Sequence, residues 1–153
     1  MNITRKVVIP NELLIVEIEQ LLVVGQHVTI RVRGNSMNPF LVDRRDDVIL
    51  SPFKKDDIKK GCIVLARTNC GREVLHRIIR FEHDRIILMG DGNLREIEYT
   101  EFGKIIGVVK EVIRKGKKLE CNSFHWRFNS FLWRILLPVR RYLLAIWRRY
   151  ISS

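Results

Sequence analysis

A chain of 153 residues, 46% hydrophobic and with only nine glycines and four prolines, is long enough to bury a core and excludes a disordered, low-complexity or fibrous polymer. Its three cysteines, Cys62, Cys70 and Cys121, form an odd set with no C-x-x-C spacing, which argues against a zinc site or a disulfide scaffold and for a reducing compartment. Of the formal net charge of +11, the C-terminal tail holds +6, and no internal repeat is visible.

The first predicted element is a helix. Pro10 and Asn11 form a start signal with Glu12 in the first turn, and Leu13, Leu14, Val16, Ile18, Leu21, Leu22 and Val24 supply apolar faces until Gly25 ends the run. Glu12, Glu17 and Glu19 interrupt it, so it is too charged and too short to cross a membrane. It also lacks the basic start, clean apolar core and small-residue cleavage site of a secretory signal, which favours the cytoplasmic side.

From Val28 to about Lys118 short β-type runs alternate with turn residues, the main ones being 28–33, 48–50, 63–65, 74–79, 86–89 and 105–113. This predicts a mainly β domain built on a twisted antiparallel sheet. The charged stretch 54–60 reads as a solvated turn, and His27 and His83 receive no role.

Within this region Ser36 lies in Gly34-Asn35-Ser36-Met37-Asn38-Pro39, where a strand breaks into a turn. His76 lies in a later strand-like run, 73–79, and Asp91 in the turn Gly90-Asp91-Gly92-Asn93. Singly, each has a plain structural explanation: turn chemistry for the serine, a partly buried strand histidine, a hairpin signal for the aspartate. Together they form a chemical set. A serine hydroxyl is a poor nucleophile until a base removes its proton, and histidine, with an ordinary pKa of about 6.5, is neutral enough near pH 7 to do so. An aspartate on the far ring nitrogen would fix the tautomer. Backbone groups of Ser36, Gly34 and Met37 would face the oxyanion and the substrate backbone, Gly34 also letting the chain bend.

In this order and spacing, GNSMNP, VLHRII and GDGN resemble the signal peptidase family and its LexA-like serine peptidase relatives, over roughly residues 20 to 113. The resemblance implies a signal-peptidase-like β fold with Ser36 as the nucleophile. Bacterial signal peptidases and LexA-like proteins pair this serine with a lysine, whereas the endoplasmic-reticulum and archaeal type carries a histidine, which His76 resembles. Asp91 matches the aspartate implicated in that type. Three positions depart from the pattern. No hydrophobic anchor precedes the serine, Gly34 stands where many members have a second oxyanion hydroxyl, and Cys62 stands where a strand start usually has aspartate.

The last thirty or so residues are a different material. They hold all three tryptophans, Trp126, Trp133 and Trp147, six arginines, and no acidic residue after Glu120. Arg127, Arg134, Arg141 and Arg148 recur every seven residues, a stripe that drifts by about 20° per heptad on a helix, opposite a broad apolar face. This pattern predicts an amphipathic helix lying in a membrane interface, with guanidinium groups at anionic headgroups. The arginines exclude a spanning helix, and Pro138 should divide the segment in two. A helix packed on the domain or a partner, and a nucleic-acid arm, are the competing readings, the arm disfavoured by so many bulky aliphatics.

The expected organisation is a β domain with its N-terminal helix over 1–120 and the basic, aromatic tail over 121–153. The expected activity is that of a peripheral-membrane serine endopeptidase cleaving a leader or signal-type peptide, with no metal or organic cofactor. Two rivals are weighed. One is a non-catalytic peptide-binding module with a degenerate site; the other, a LexA-like self-cleaving regulator, finds no room for a DNA-binding domain before the helix.

Overall fold

The computed structural model describes residues 12–151. The apolar run forms helix α1 (Glu12–Val23), which buries Ile18 and Leu22 and leaves Leu13 and Val23 in solvent. Gly25, at φ 84°, turns the chain out of the helix in the left-handed region that glycine adopts without strain. The Pro10–Asn11 start signal lies outside the described residues.

Eight strands follow: β1 (Val28–Arg31), β2 (Asp46–Ser51), β3 (Ile63–Arg67), β4 (Glu73–Glu82), β5 (Arg85–Met89), β6 (Glu98–Thr100), β7 (Ile105–Arg114) and β8 (Lys117–Glu120). They pair antiparallel in the order β1-β2-β7-β3-β4-β5-β6, and β8 joins β7 beyond the end of β3. The sheet curls into a half-barrel. The mainly β, antiparallel expectation therefore holds, while β6 and β8 were not anticipated. β6 is only three residues long, and β8, Lys-Lys-Leu-Glu, has no apolar alternation to reveal it.

Both faces of the sheet are covered. β3 sends Ile63 and Leu65 to a core under α1 with Val48, Leu50 and Val112, and Val64 and Ala66 to a second core with Ile78, Ile86 and Leu88. This is the period-two alternation of a strand buried on both sides. Each fully buried Ile, Leu or Val contributes about 1.5–3 kcal/mol relative to exposure. Helix α1 approaches closely because β7 carries Gly107, where a Cβ would stand 2.8 Å from Leu22 Cδ1.

After β8 the chain forms α2 (Phe124–Ile135), capped by Ser123, whose Oγ accepts from the Trp126 N–H at 3.3 Å. A turn over 136–139 holds Pro138, and α3 (Arg140–Ile151) follows. The division at Pro138 is as the sequence predicts, since proline has no N–H to continue the helix. Among the described residues no helix is long and apolar enough to cross a membrane.

Candidate functional site around Ser36 and His76

The loop after β1 is anchored by its apolar members. Met37 and Leu41 sink into the α1-side core, and the Leu41 N–H donates to the Met37 carbonyl at 2.9 Å. Gly34 adopts φ 79°, which tips the chain so that Ser36 is left half-exposed at the rim. The Gly34 N–H is committed to Asp43 Oδ1 at 3.3 Å, so Gly34 supplies the bend and not an oxyanion donor. The Ser36 N–H has no partner among the described residues and remains able to donate.

His76 stands in β4 opposite Val64 of β3, on the same face as Ile78, and is 5% exposed. Two groups frame its ring. Glu98 of β6 holds Nδ1 through Oε2 at 2.5 Å, and Glu98 Oε1 in turn accepts from Arg72 at 2.9 Å. A carboxylate only accepts, so Nδ1 carries the proton in the neutral ring and Nε2 keeps its lone pair. Nε2 faces Gly90. A Cβ built on Gly90 would lie 3.1 Å from His76 Nε2 and 2.3 Å from the Ser36 carbonyl oxygen, so a single methyl-sized volume touches both residues. Only glycine fits there. Next door the Gly92 N–H donates to the Ser36 carbonyl at 2.7 Å, tying the turn to the serine loop. Among the described residues no hydrogen bond joins the Ser36 hydroxyl to His76. Catalytic hydrogen bonds of this kind are commonly loose without substrate.

The structure thus brings Ser36, His76 and the 90–93 turn together and, of the two parts open to Asp91, orienting the histidine or supporting the site, its geometry fits the second. Its carboxylate is not on His76: it forms a two-pronged pair with Arg77, Oδ1 accepting from Nε at 2.8 Å and Oδ2 from Nη2 at 2.6 Å. Both side chains are almost wholly buried, and Arg77 also donates to the Gly61 carbonyl at 2.8 Å and lies over the Phe40 ring at 5.0 Å. Strand alternation explains the exchange, since Arg77 follows His76 and points to the other face. Asp91 fastens the turn from beneath; Glu98 occupies the place beside the histidine.

The tail reaches the same turn. Trp133 Nε1 donates to the Asp91 carbonyl at 2.9 Å, and Arg140 donates to the Asn93 carbonyl at 3.3 Å and the Trp133 carbonyl at 3.0 Å. Trp126 and Trp133 both meet Phe40 edge-on, with centroids 5.7 Å and 6.2 Å away. Burial pushes the Arg140 pKa down, with the Asp91 charge opposing and Arg77 adding to the shift.

The three tryptophans are therefore not the outward aromatic face expected of them. Trp126 and Trp133 are half-buried on the domain, and Trp147 is half-buried as well. The exposed apolar surface belongs instead to Phe124, Phe128, Phe131 and Ile135 on α2 and to Tyr142, Ile146 and Tyr150 on α3. Of the arginine stripe, Arg127, Arg141 and Arg148 are exposed, whereas Arg134 turns toward the domain. The break at Pro138 ends the seven-residue register on which that stripe rested.

Two cavities flank α2. One of about 780 Å³ lies beside the serine loop, lined by Pro39, Phe40, Leu119, Trp126, Leu132 and Trp133. The other, about 730 Å³, lies between α2 and the start of β3. Comparison with protein-family models and with curated proteins finds no match to this chain.

Proposed function

We propose that this chain is a membrane-associated serine endopeptidase of the signal-peptidase type, cleaving a leader or signal-type peptide. The observation that carries the reading is the alignment at Gly90, where His76 Nε2 and the Ser36 backbone approach one point while Glu98 holds Nδ1. In this reading Ser36 Oγ attacks the scissile carbonyl and His76 Nε2 takes its proton. His76 then delivers that proton to the leaving amine, leaving an acyl-enzyme on Ser36. Water, deprotonated by the same nitrogen, releases the acyl group. The Ser36 N–H, with that of Met37, faces the oxyanion. Glu98 positions the histidine, and Asp91 supports the turn through Arg77.

Membrane association rests on composition and exposure: six arginines without an acidic residue after Glu120, beside outward Phe, Ile and Tyr side chains. The test is mass-spectrometric profiling of peptide N-termini in host cells carrying the wild-type chain or Ser36→Ala at equal abundance. Termini lost in the variant are expected, and they give the cleavage motif. Identical profiles would move the assignment to a non-catalytic peptide-binding module. That second reading draws support from the absence, among the described residues, of a hydrogen bond between Ser36 and His76.

A further inference from the structure

The cavity between α2 and the start of β3 has an unusual lining. Ser130 is 4% exposed and its Oγ has no hydrogen-bond partner; one helical turn on, Arg134 buries Nε and Nη1, also without hydrogen-bond partners. Both line the cavity. Buried donors of this kind ordinarily find acceptors, and leaving them without one is unfavourable. The Arg134 guanidinium lies against Gly61, 3.6 Å from where a Cβ would be, an ordinary van der Waals distance. Burial and the neighbouring Arg77 push the Arg134 pKa down, with Asp91 opposing.

The charge of the lining is predominantly positive. Lys59, Lys60 and Arg127 reach it together with Lys110, whose Nζ lies 3.7 Å from Asp57 Oδ1; Asp56 is the other acidic residue present. Its outer wall is apolar. Phe128 and Phe131 are each 53% exposed, and Phe131 stacks loosely under Arg134 at 5.9 Å. A soluble anion would satisfy the donors and leave those rings in water. An anionic amphiphile satisfies both.

We propose that this cavity binds one anionic phospholipid, its phosphate accepting from Ser130 Oγ and pairing with Arg134, and its acyl chain leaving along Phe128 and Phe131. The inference deepens the membrane reading of the tail and stands apart from the peptidase reading, because binding is measured without cleavage. Its chemistry is that of a charge-assisted, partly desolvated pair, which is stronger than contacts between exposed arginines and headgroups.

The experiment is calorimetric titration of the full chain with dihexanoyl-phosphatidylglycerol below its micelle concentration, with dihexanoyl-phosphatidylcholine and with inorganic phosphate. Tightest binding is expected for the phosphatidylglycerol. Arg134→Gln should weaken it about tenfold or more and Ser130→Ala by a smaller factor, whereas Arg80→Gln, exposed on β4 and outside the cavity, should bind as wild type does. Phosphate binding as tightly as the lipid would replace the proposal with a soluble-anion site. Equal loss in the Arg134 and Arg80 variants would replace it with diffuse surface attraction, and undiminished binding by Arg134→Gln would refute it outright. Should Arg134→Gln fail to fold, Ser130→Ala decides alone, since it removes a buried hydroxyl that has no protein partner. Failure here leaves Ser36-dependent cleavage intact, and absence of cleavage leaves lipid binding intact.

Discussion

Glu98 can fix His76 in one tautomer only while it remains a pure acceptor. Glu98→Gln keeps size and shape but offers an amide that can also donate to Nδ1, stabilising the ring form whose Nε2 carries a proton and cannot act as a base. Turnover of a substrate identified by terminal profiling should fall by about 10²–10⁴-fold with KM little changed, and Glu98→Asp should recover part of it. Full turnover in the glutamine variant would leave the histidine's orientation to other groups. The serine and the histidine were legible because a turn and a strand run mark them locally. Glu98 was not. It lies between Ile97 and Tyr99, two residues after Glu96, with nothing local to mark it, and only its pairing with Leu88 across β5 carries it toward the histidine.

At the scale of elements, the 90–93 turn between β5 and β6 is where the loop, the strands and the tail converge. Asp91 and Arg77 form a buried pair, and removing one charge strands the other in a site that water does not reach. Asp91→Asn should therefore lower the unfolding free energy by about 3–5 kcal/mol, measured by urea denaturation, and lose activity because the turn loosens. A variant of unchanged stability but greatly reduced turnover would give Asp91 the orienting part that Glu98 holds here. The apolar runs behind β2, β3, β4, β5 and β7 could be read directly from clustered β-branched residues. The Asp91–Arg77 pair could not, because it depends on which face of β4 each of two adjacent polar residues takes.

Across the whole molecule, arginines unmatched by acidic residues and many exposed aromatic side chains gather in the tail, and that much is plain from its composition. The docking is not, because tryptophans suited to a membrane interface serve equally well against Phe40 and the 90–93 turn. Composition cannot tell those surfaces apart. The consequence is that the tail does two things at once, presenting phenylalanines and arginines outward while holding the turn beside Ser36 from behind. Truncation before Phe124 should therefore abolish sedimentation with phosphatidylglycerol vesicles, leave the far-ultraviolet β signal, and also reduce cleavage of a soluble peptide. The strands keep their mutual pairing and α1 keeps its buried core residues, losing only the packing of Trp126 against them, but Trp133 and Arg140 no longer restrain Asp91 and Asn93. Continued sedimentation would remove the tail from the membrane reading, and undiminished cleavage of the soluble peptide would show that the turn holds its geometry through Arg77 alone.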